Sequence, residues 1–545
     1  MCGIPLRISS MIEPFDNEAI APGTPPPPLA NPDLLPPPEP RRRWTWVALT
    51  MGILAWCVII VVATAIAAGE RNSEEKLGET AGKESINLLT MRAQARYLLG
   101  ARDTLSQFSP GSEHQIAAQV NTLNVGPLDQ RLRYVVLVGE LQGPDAAVKA
   151  LDDLDALIAR NNAKLTQEQE SQRTVLRKLY ADYRRLRYDA PSVSDADRKI
   201  LREQLGWFGK LALAPEGQPA VRDEVIAAAG GAAAIDIYAE CPDPAGRDEA
   251  LRPAKRVTVT IWTAVGGGVF FLFLGFCGLL LLVVLMVMGK LRGGLVCGWS
   301  PAGVYAETFA LWMLMFVALS IGVSRLEMGE FRYIAAALVM LFSLVVVFWP
   351  VLRGLSWRQV REDIGWTLGR RPALEPGIGV GCYVMSYPLL VVGIVMVLGL
   401  MAAQTLLSGG GPSADDLTSP STPGHPVVGP LASGDWPLRL QLFFLASIVA
   451  PIVEETMFRG VLYRHLREVT RRFALVGSMI VAGLVSSFIF AVIHPQGLLG
   501  IPVLMALAIA FVLTREWRGT LIPCMVAHGL NNGLVLLVSV GMLAE

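Results

Sequence analysis

Residues 440–462 read LQLFFLASIVAPIVEETMFRGVL, an apolar run that carries Glu454, Glu455 and Arg459 within six residues. A bilayer core about 30 Å thick takes roughly 20 helical residues, and every ionisable side chain placed inside it is costly. The run therefore predicts a membrane-spanning helix whose charges are kept for a purpose. Helical spacing divides that purpose. Glu455 and Arg459 are four residues apart, on one face, so they can pair across a turn. Glu454 points about 100° away and is left free to act as a base. The ion pair offsets part of the burial penalty, although desolvation consumes much of the Coulombic gain.

Working outward, two later apolar segments carry the other polar groups. One ends in Phe490-Ala491-Val492-Ile493-His494-Pro495, the other contains His528-Gly529-Leu530-Asn531-Asn532. In each, the key residues sit four apart on one helix face: Phe490 with His494, His528 with Asn532. Glu454, His494, His528 and Asn532 are thus the polar set in neighbouring apolar helices able to converge. Acyl hydrolysis needs a base to activate water and donors aimed at the developing oxyanion. Glu454 with His494 would supply the first, and His528 with Asn532 the second. A metal variant uses Glu454, His494 and His528 as ligands of a divalent ion such as zinc, with one position open for water.

Glu-Glu-x-x-x-Arg, Phe-x-x-x-His and His-x-x-x-Asn, in that order on three apolar segments, resemble the motifs of the CAAX protease and bacteriocin-processing (CPBP) family, which includes the type II CAAX prenyl endopeptidase. The resemblance covers about residues 375–542. It implies an intramembrane endopeptidase acting on a peptide or membrane-protein substrate. It also implies roles: Glu454 and His494 to activate water, His528 and Asn532 to form the oxyanion hole, and Glu455, Arg459 and Phe490 to support the site. Members are often labelled metalloproteases; the preferred reading here is a metal-independent glutamate mechanism with no cofactor. Nothing in the sequence argues for a prenyl pocket.

Composition agrees with a membrane protein that carries some soluble mass. Of 545 residues, 52% are hydrophobic and 17% charged, with a mean hydropathy of +0.44; soluble chains carry roughly 25% charged residues. The 47 basic and 47 acidic residues balance, which gives no electrostatic case for nucleic acid as a partner. Seven cysteines without CxxC or Cys/His ligand spacing imply neither a disulfide framework nor a zinc finger.

The expected fold class is all-α, a polytopic helical membrane protein of about nine transmembrane helices with a helical extracytoplasmic domain. Residues 1–43 are proline-rich and read as a disordered cytoplasmic tail. Arg41-Arg42-Arg43 then precedes a transmembrane anchor at 44–68. Residues 70–255 are charged and helical in period: Val148, Leu151, Leu154, Leu157 and Ile158 fall on one face. They show no repeat and no catalytic constellation, His114 reads as a surface residue, and the domain is available to a protein partner. Residues 257–372 hold transmembrane helices and 375–542 the peptidase unit. The candidate spans are 261–288, 304–323, 333–351, 377–402, 440–463, 473–494, 500–514 and 521–542. Gly266-Gly267-Gly268 reads as close helix packing.

Threading these spans puts five basic groups on one side: Arg41–Arg43, Lys290 with Arg292, the arginines of 353–371, those of 464–472, and Arg515 with Arg518. The positive-inside rule makes that side cytoplasmic, with the 70–255 domain outside and lipid around the spans. In a bacterium this is the cytoplasmic membrane. His465 is expected at that cytoplasmic edge.

One distance does not fit a straight helix. Glu454 and His528 each lie about ten residues from the nearest cytoplasmic arginine, whereas His494 lies about twenty-two from Arg472. The site closes if residues 471–478 run along the interface. The rival reading is a non-catalytic membrane adaptor or chaperone whose outer domain recruits a partner; a proton-relaying transporter lacks the expected inverted repeat.

Overall fold

The computed structural model describes residues 51–64, 86–108, 116, 119–124, 126–216, 242–290, 293–295, 303–326, 328–408, 431, 435–494 and 496–543. The proline-rich tail, Arg41–Arg43, His114, Cys241, Arg292, Pro495 and most of the 407–435 loop lie outside them. Among the described residues every regular element is helical. We number them α1 (Met51–Thr64), α2 (Ile86–Phe108), α3 (Leu128–Gln142), α4 (Pro144–Arg160), α5 (Gln167–Arg184), α6 (Asp195–Gln204), α7 (Trp207–Ala212), α8 (Pro244–Val287), α9 (Val304–Ser324), α10 (Gly329–Leu352), α11 (Trp357–Ile364), α12 (Glu375–Ser408), α13 (Trp436–Val469), α14 (Ala474–Val492), α15 (Gly497–Arg518) and α16 (Ile522–Leu543).

Helices α2 to α7 and the first turns of α8 form the charged domain. Its core takes Leu132, Val135 and Val136 of α3, Leu151 and Leu154 of α4, Leu176 and Leu179 of α5, and Phe208 of α7. Capping boxes start α5 (Thr166 with Gln169) and α6 (Ser194 with Asp197), satisfying backbone donors that a helix start leaves unpaired. The boundary expected near 255–257 falls inside α8, 44 residues long and unbroken. Ala250, Leu251, Ala254 and Val257 are buried toward the domain, while Phe270, Phe273 and Leu280 farther along are exposed, as a lipid-facing helix requires.

Among the described residues eight helices are long and apolar enough to cross a membrane: α8, α9, α10, α12, α13, α14 with its preceding turn, α15 and α16. The ninth expected span is represented among the described residues by the 14-residue α1. Small residues let these helices approach closely. A Cβ at Gly393 of α12 would stand 2.9 Å from the Pro502 carbonyl oxygen of α15, and one at Gly275 of α8 2.6 Å from the Val384 carbonyl oxygen of α12. Gly266, Gly267 and Gly268 do not do this: nothing among the described residues lies within 4 Å of a Cβ built there, so the expected close packing is corrected. Their part of α8 faces outward.

The basic groups among the described residues meet at one end of the bundle, opposite the charged domain. Gly294 N–H donates to the Glu516 carbonyl (2.8 Å), Arg515 donates to the Asp363 carbonyl (2.9 Å), and Arg464 pairs with Asp363 (3.4 Å) and Glu468 (3.1 Å). Tyr305 and Tyr463 donate to Asp363 and Glu516. The expectation that Arg464, Arg467 and Arg515 are loop charges at an interface is therefore corrected: all three are buried and partnered. His465 is buried too, and accepts from Trp56 of α1. Exposed charge at this end comes from residues such as Arg358 and Arg471.

Candidate active site

Helix α13 carries the acidic pair between two π-helical stretches, Leu445–Val449 and Thr456–Leu462. Pro451 lacks an N–H and cannot donate to the Ser447 carbonyl four residues back, which favours a widened turn there. The freed backbone is then used. Asn532 of α16 donates through Nδ2 to the Ala446 carbonyl at 2.8 Å, and Asn531 donates to Asn532 Oδ1 at 3.2 Å. Gly529 makes this approach feasible, because a Cβ there would lie 2.5 Å from the Ser447 carbonyl oxygen.

The two glutamates take opposite environments. Glu455 is fully buried; its Oε1 accepts from Arg459 Nη1 at 2.9 Å and from His528 Nδ1 at 2.8 Å. Arg459, also buried, lies over the rings of Phe490 (4.4 Å) and Phe511 (5.1 Å). Phe511 stacks on His528 with centroids 5.2 Å apart. Glu454 faces the two imidazoles: its Oε2 lies 3.6 Å from His494 Nε2 and 3.7 Å from His528 Nε2. The Glu454 and His494 side chains keep 16% and 18% exposure against 3% for His528, so the first two are the reachable pair.

His494 comes level with Glu454 because α14 starts beyond the end of α13. Residues 471–473 form one 3-10 turn, α14 begins at Ala474, and Ser478 lies beside Arg467 and Thr470. Twelve residues then separate Ser478 from Phe490, close to the thirteen between Arg467 and Glu454. Side chains lean toward their helix N-terminus, so those on antiparallel α13 and α14 tilt toward each other. The His494 ring folds back, donating Nδ1–H to the Phe490 carbonyl at 2.6 Å and packing on the Phe490 ring at 4.1 Å.

Six of the seven singled-out residues, Glu454, Glu455, Arg459, Phe490, His494 and His528, thus gather at one place, and Asn532 sits one turn along α16 clamping the π-helical turn. Among the described residues no group of three His, Cys, Asp or Glu side chains is arranged to hold a metal ion. Two features gave no sequence signal. Phe511 is one phenylalanine in an apolar span. Beside the site an apolar cleft of about 440 Å³ opens between α13 and α16, lined by Phe443, Ser447, Pro451, Ile452, Gly529 and Leu530 among others.

The fold is that of a polytopic helical membrane protein, and the site is a buried cluster of two glutamates, two histidines and an arginine. Residues 436–534 match the family model described as Type II CAAX prenyl endopeptidase Rce1-like. The chain is similar to the membrane-embedded CAAX protease MroQ of Staphylococcus aureus (strain USA300), 34% identical over 94 residues. That stretch covers 17% of this chain and 37% of MroQ, so little more than a third of the relative is spanned. No solved structure matches the chain.

Proposed function

We propose that the protein is an intramembrane endopeptidase in which Glu454 and His494 activate water and His528 with Asn532 stabilises the oxyanion. The observation that carries the reading is the convergence of Glu454 Oε2 with two imidazole Nε2 atoms at 3.6 and 3.7 Å. His494 spends its Nδ1 proton on the Phe490 carbonyl, so neutral His494 turns a lone pair toward Glu454. Two acceptors then face each other across 3.6 Å, too far for a direct hydrogen bond and suited to a water that donates to both. Glu454 Oε2 is buried with no hydrogen-bond partner among the described residues, which supports the same reading.

In the forward step Glu454 takes the water proton as oxygen attacks the peptide carbonyl, and later returns it to the leaving amine. His528, held through Nδ1 by Glu455, donates toward the oxyanion from Nε2 when it carries both protons. Asn532 keeps a second amide N–H beyond the one on Ala446. The apolar cleft takes an apolar segment of a peptide or membrane-protein substrate arriving from the lipid. The basic end is the cytoplasmic one by the positive-inside rule, which leaves the charged domain outside and available to a partner.

No step passes through a metal. Turnover unchanged by chelator, with no stoichiometric metal in the purified protein, is the expected result; loss on chelation restored by zinc would overturn this part. The main test uses peptides that accumulate in a deletion strain as substrates. Glu454→Gln should lower cleavage at least about a hundredfold in a protein that stays folded in detergent, and retained turnover would sink the proposal. The rival reading is a non-catalytic adaptor, supported by the buried and paired charges around Arg464 and Glu516, which lie outside the candidate site; an adaptor keeps its function in Glu454→Gln and His494→Gln.

A further inference from the structure

The charged domain contains a second polar cavity, far from Glu454, of about 230 Å³. That is the volume of about seven or eight waters, the scale of one amino-acid residue rather than of a folded partner. Its walls include Tyr180, Tyr183 and Tyr188, and its rim Arg102, Glu140 and Glu216. Gly139 makes room for one wall, since a Cβ there would lie 2.4 Å from the Tyr180 ring. Tyr180 and Tyr183 donate to the Val136 and Ala212 carbonyls. Tyr188 differs: it is 6% exposed, and its buried hydroxyl has no hydrogen-bond partner among the described residues.

At the rim, Arg247 from α8 holds buried Glu140 at 2.6 Å, with Arg102 at 3.7 Å from the same oxygen. Both guanidiniums also grip one oxygen of Glu216, at 3.2 and 3.3 Å. Glu140 is 6% exposed and belongs to the framework; burial pushes its carboxyl up, with Arg247 and Arg102 pulling the other way. Glu216 is 58% exposed, so its carboxylate is held at a solvent-facing rim. Two arginines converging on one carboxylate is the arrangement that recognises a carboxylate.

We propose that this pocket binds a free carboxylate carried next to an aromatic or large apolar group, and that Glu216 occupies the carboxylate position when the ligand is absent. The ligand carboxylate replaces Glu216 on Arg102 and Arg247, its ring enters between the tyrosines, and Tyr188 supplies a hydroxyl hydrogen bond. A peptide C-terminus and a small aryl or alkyl acid share this chemistry. The inference does not depend on Glu454 being catalytic, because binding is read directly.

The test is calorimetric titration of the full chain in detergent with N-acetylphenylalanine, its C-terminal amide, and the tripeptide Ala-Ala-Phe. The acid should bind and the amide at least about tenfold more weakly, the loss of charge-assisted hydrogen bonds. Glu216→Gln should tighten the acid several-fold by removing the internal competitor, and Tyr188→Phe should weaken it about threefold to tenfold. A tripeptide tighter than the acid supports the proposal and identifies a peptide C-terminus as the source; equal or weaker binding supports it with a small acid as the source. An amide as tight as the acid, no binding of either, or a Kd unmoved by Glu216→Gln overturns it. Unchanged unfolding temperature in both variants shows that binding alone has been altered.

Discussion

Glu454 and Glu455 are chemically identical neighbours with opposite stability consequences. Glu455 accepts from Arg459 and His528 in a fully buried setting, and removing one member of such a pair leaves an uncompensated charge. Glu455→Gln should therefore lower stability by about 3–5 kcal/mol, seen as an earlier thermal transition in detergent. Glu454→Gln should leave that transition nearly in place while removing cleavage; a reversed order of the two melting shifts would contradict the division of labour. Phe511→Leu should keep an apolar side chain but lose the stack on His528, reducing turnover more than it reduces stability. The acidic pair was legible in the sequence because ionisable residues stand out in an apolar run. Phe511 was not, since a ring that orients a histidine has the same composition as one that faces lipid.

At the scale of elements, the site depends on where α13 departs from 3.6 residues per turn. Its π-helical turns expose the Ala446 carbonyl to Asn532, and Gly529 lets α16 approach. Gly529→Ala should cost at least about tenfold in cleavage with helix content unchanged, because a Cβ 2.5 Å from backbone forces the two helices apart and small misplacements are costly. Gly533→Ala should be milder, since its nearest neighbour is the Phe443 ring at 3.3 Å. Equal effects of the two would argue against a tight contact at Gly529. Helical periodicity reveals which residues share a face and is silent on π-helical turns and on how far one helix overhangs the next. That is why the three motifs could be read while the route by which His494 reaches Glu454 could not.

The whole molecule was legible as alternating apolar spans around a charged helical domain, because that pattern follows directly from transfer free energies. The fate of its arginines was not. Arg464 and Arg515 look in sequence like positive-inside loop residues, yet they are buried against Asp363 and its carbonyl. A membrane-impermeant thiol reagent should label cysteines placed at Arg358 and at Lys199, in a cysteine-free background, from opposite faces of sealed vesicles. Labelling from the same face would reject the proposed topology. Amides of 254–262 should also be protected from hydrogen exchange without a break, as one continuous helix requires.

That helix has a mechanical consequence. At 1.5 Å per residue the 44 residues of α8 span about 66 Å, so a tilt of about 5° about one end swings the other by about 6 Å. Its outer turns are seated in the core of the charged domain through Leu251 and Ala254, and Thr260 packs against Gly541 of α16, the helix that carries His528 and Asn532. A pull on the domain is therefore delivered as a lever stroke to the rod that holds half of the site.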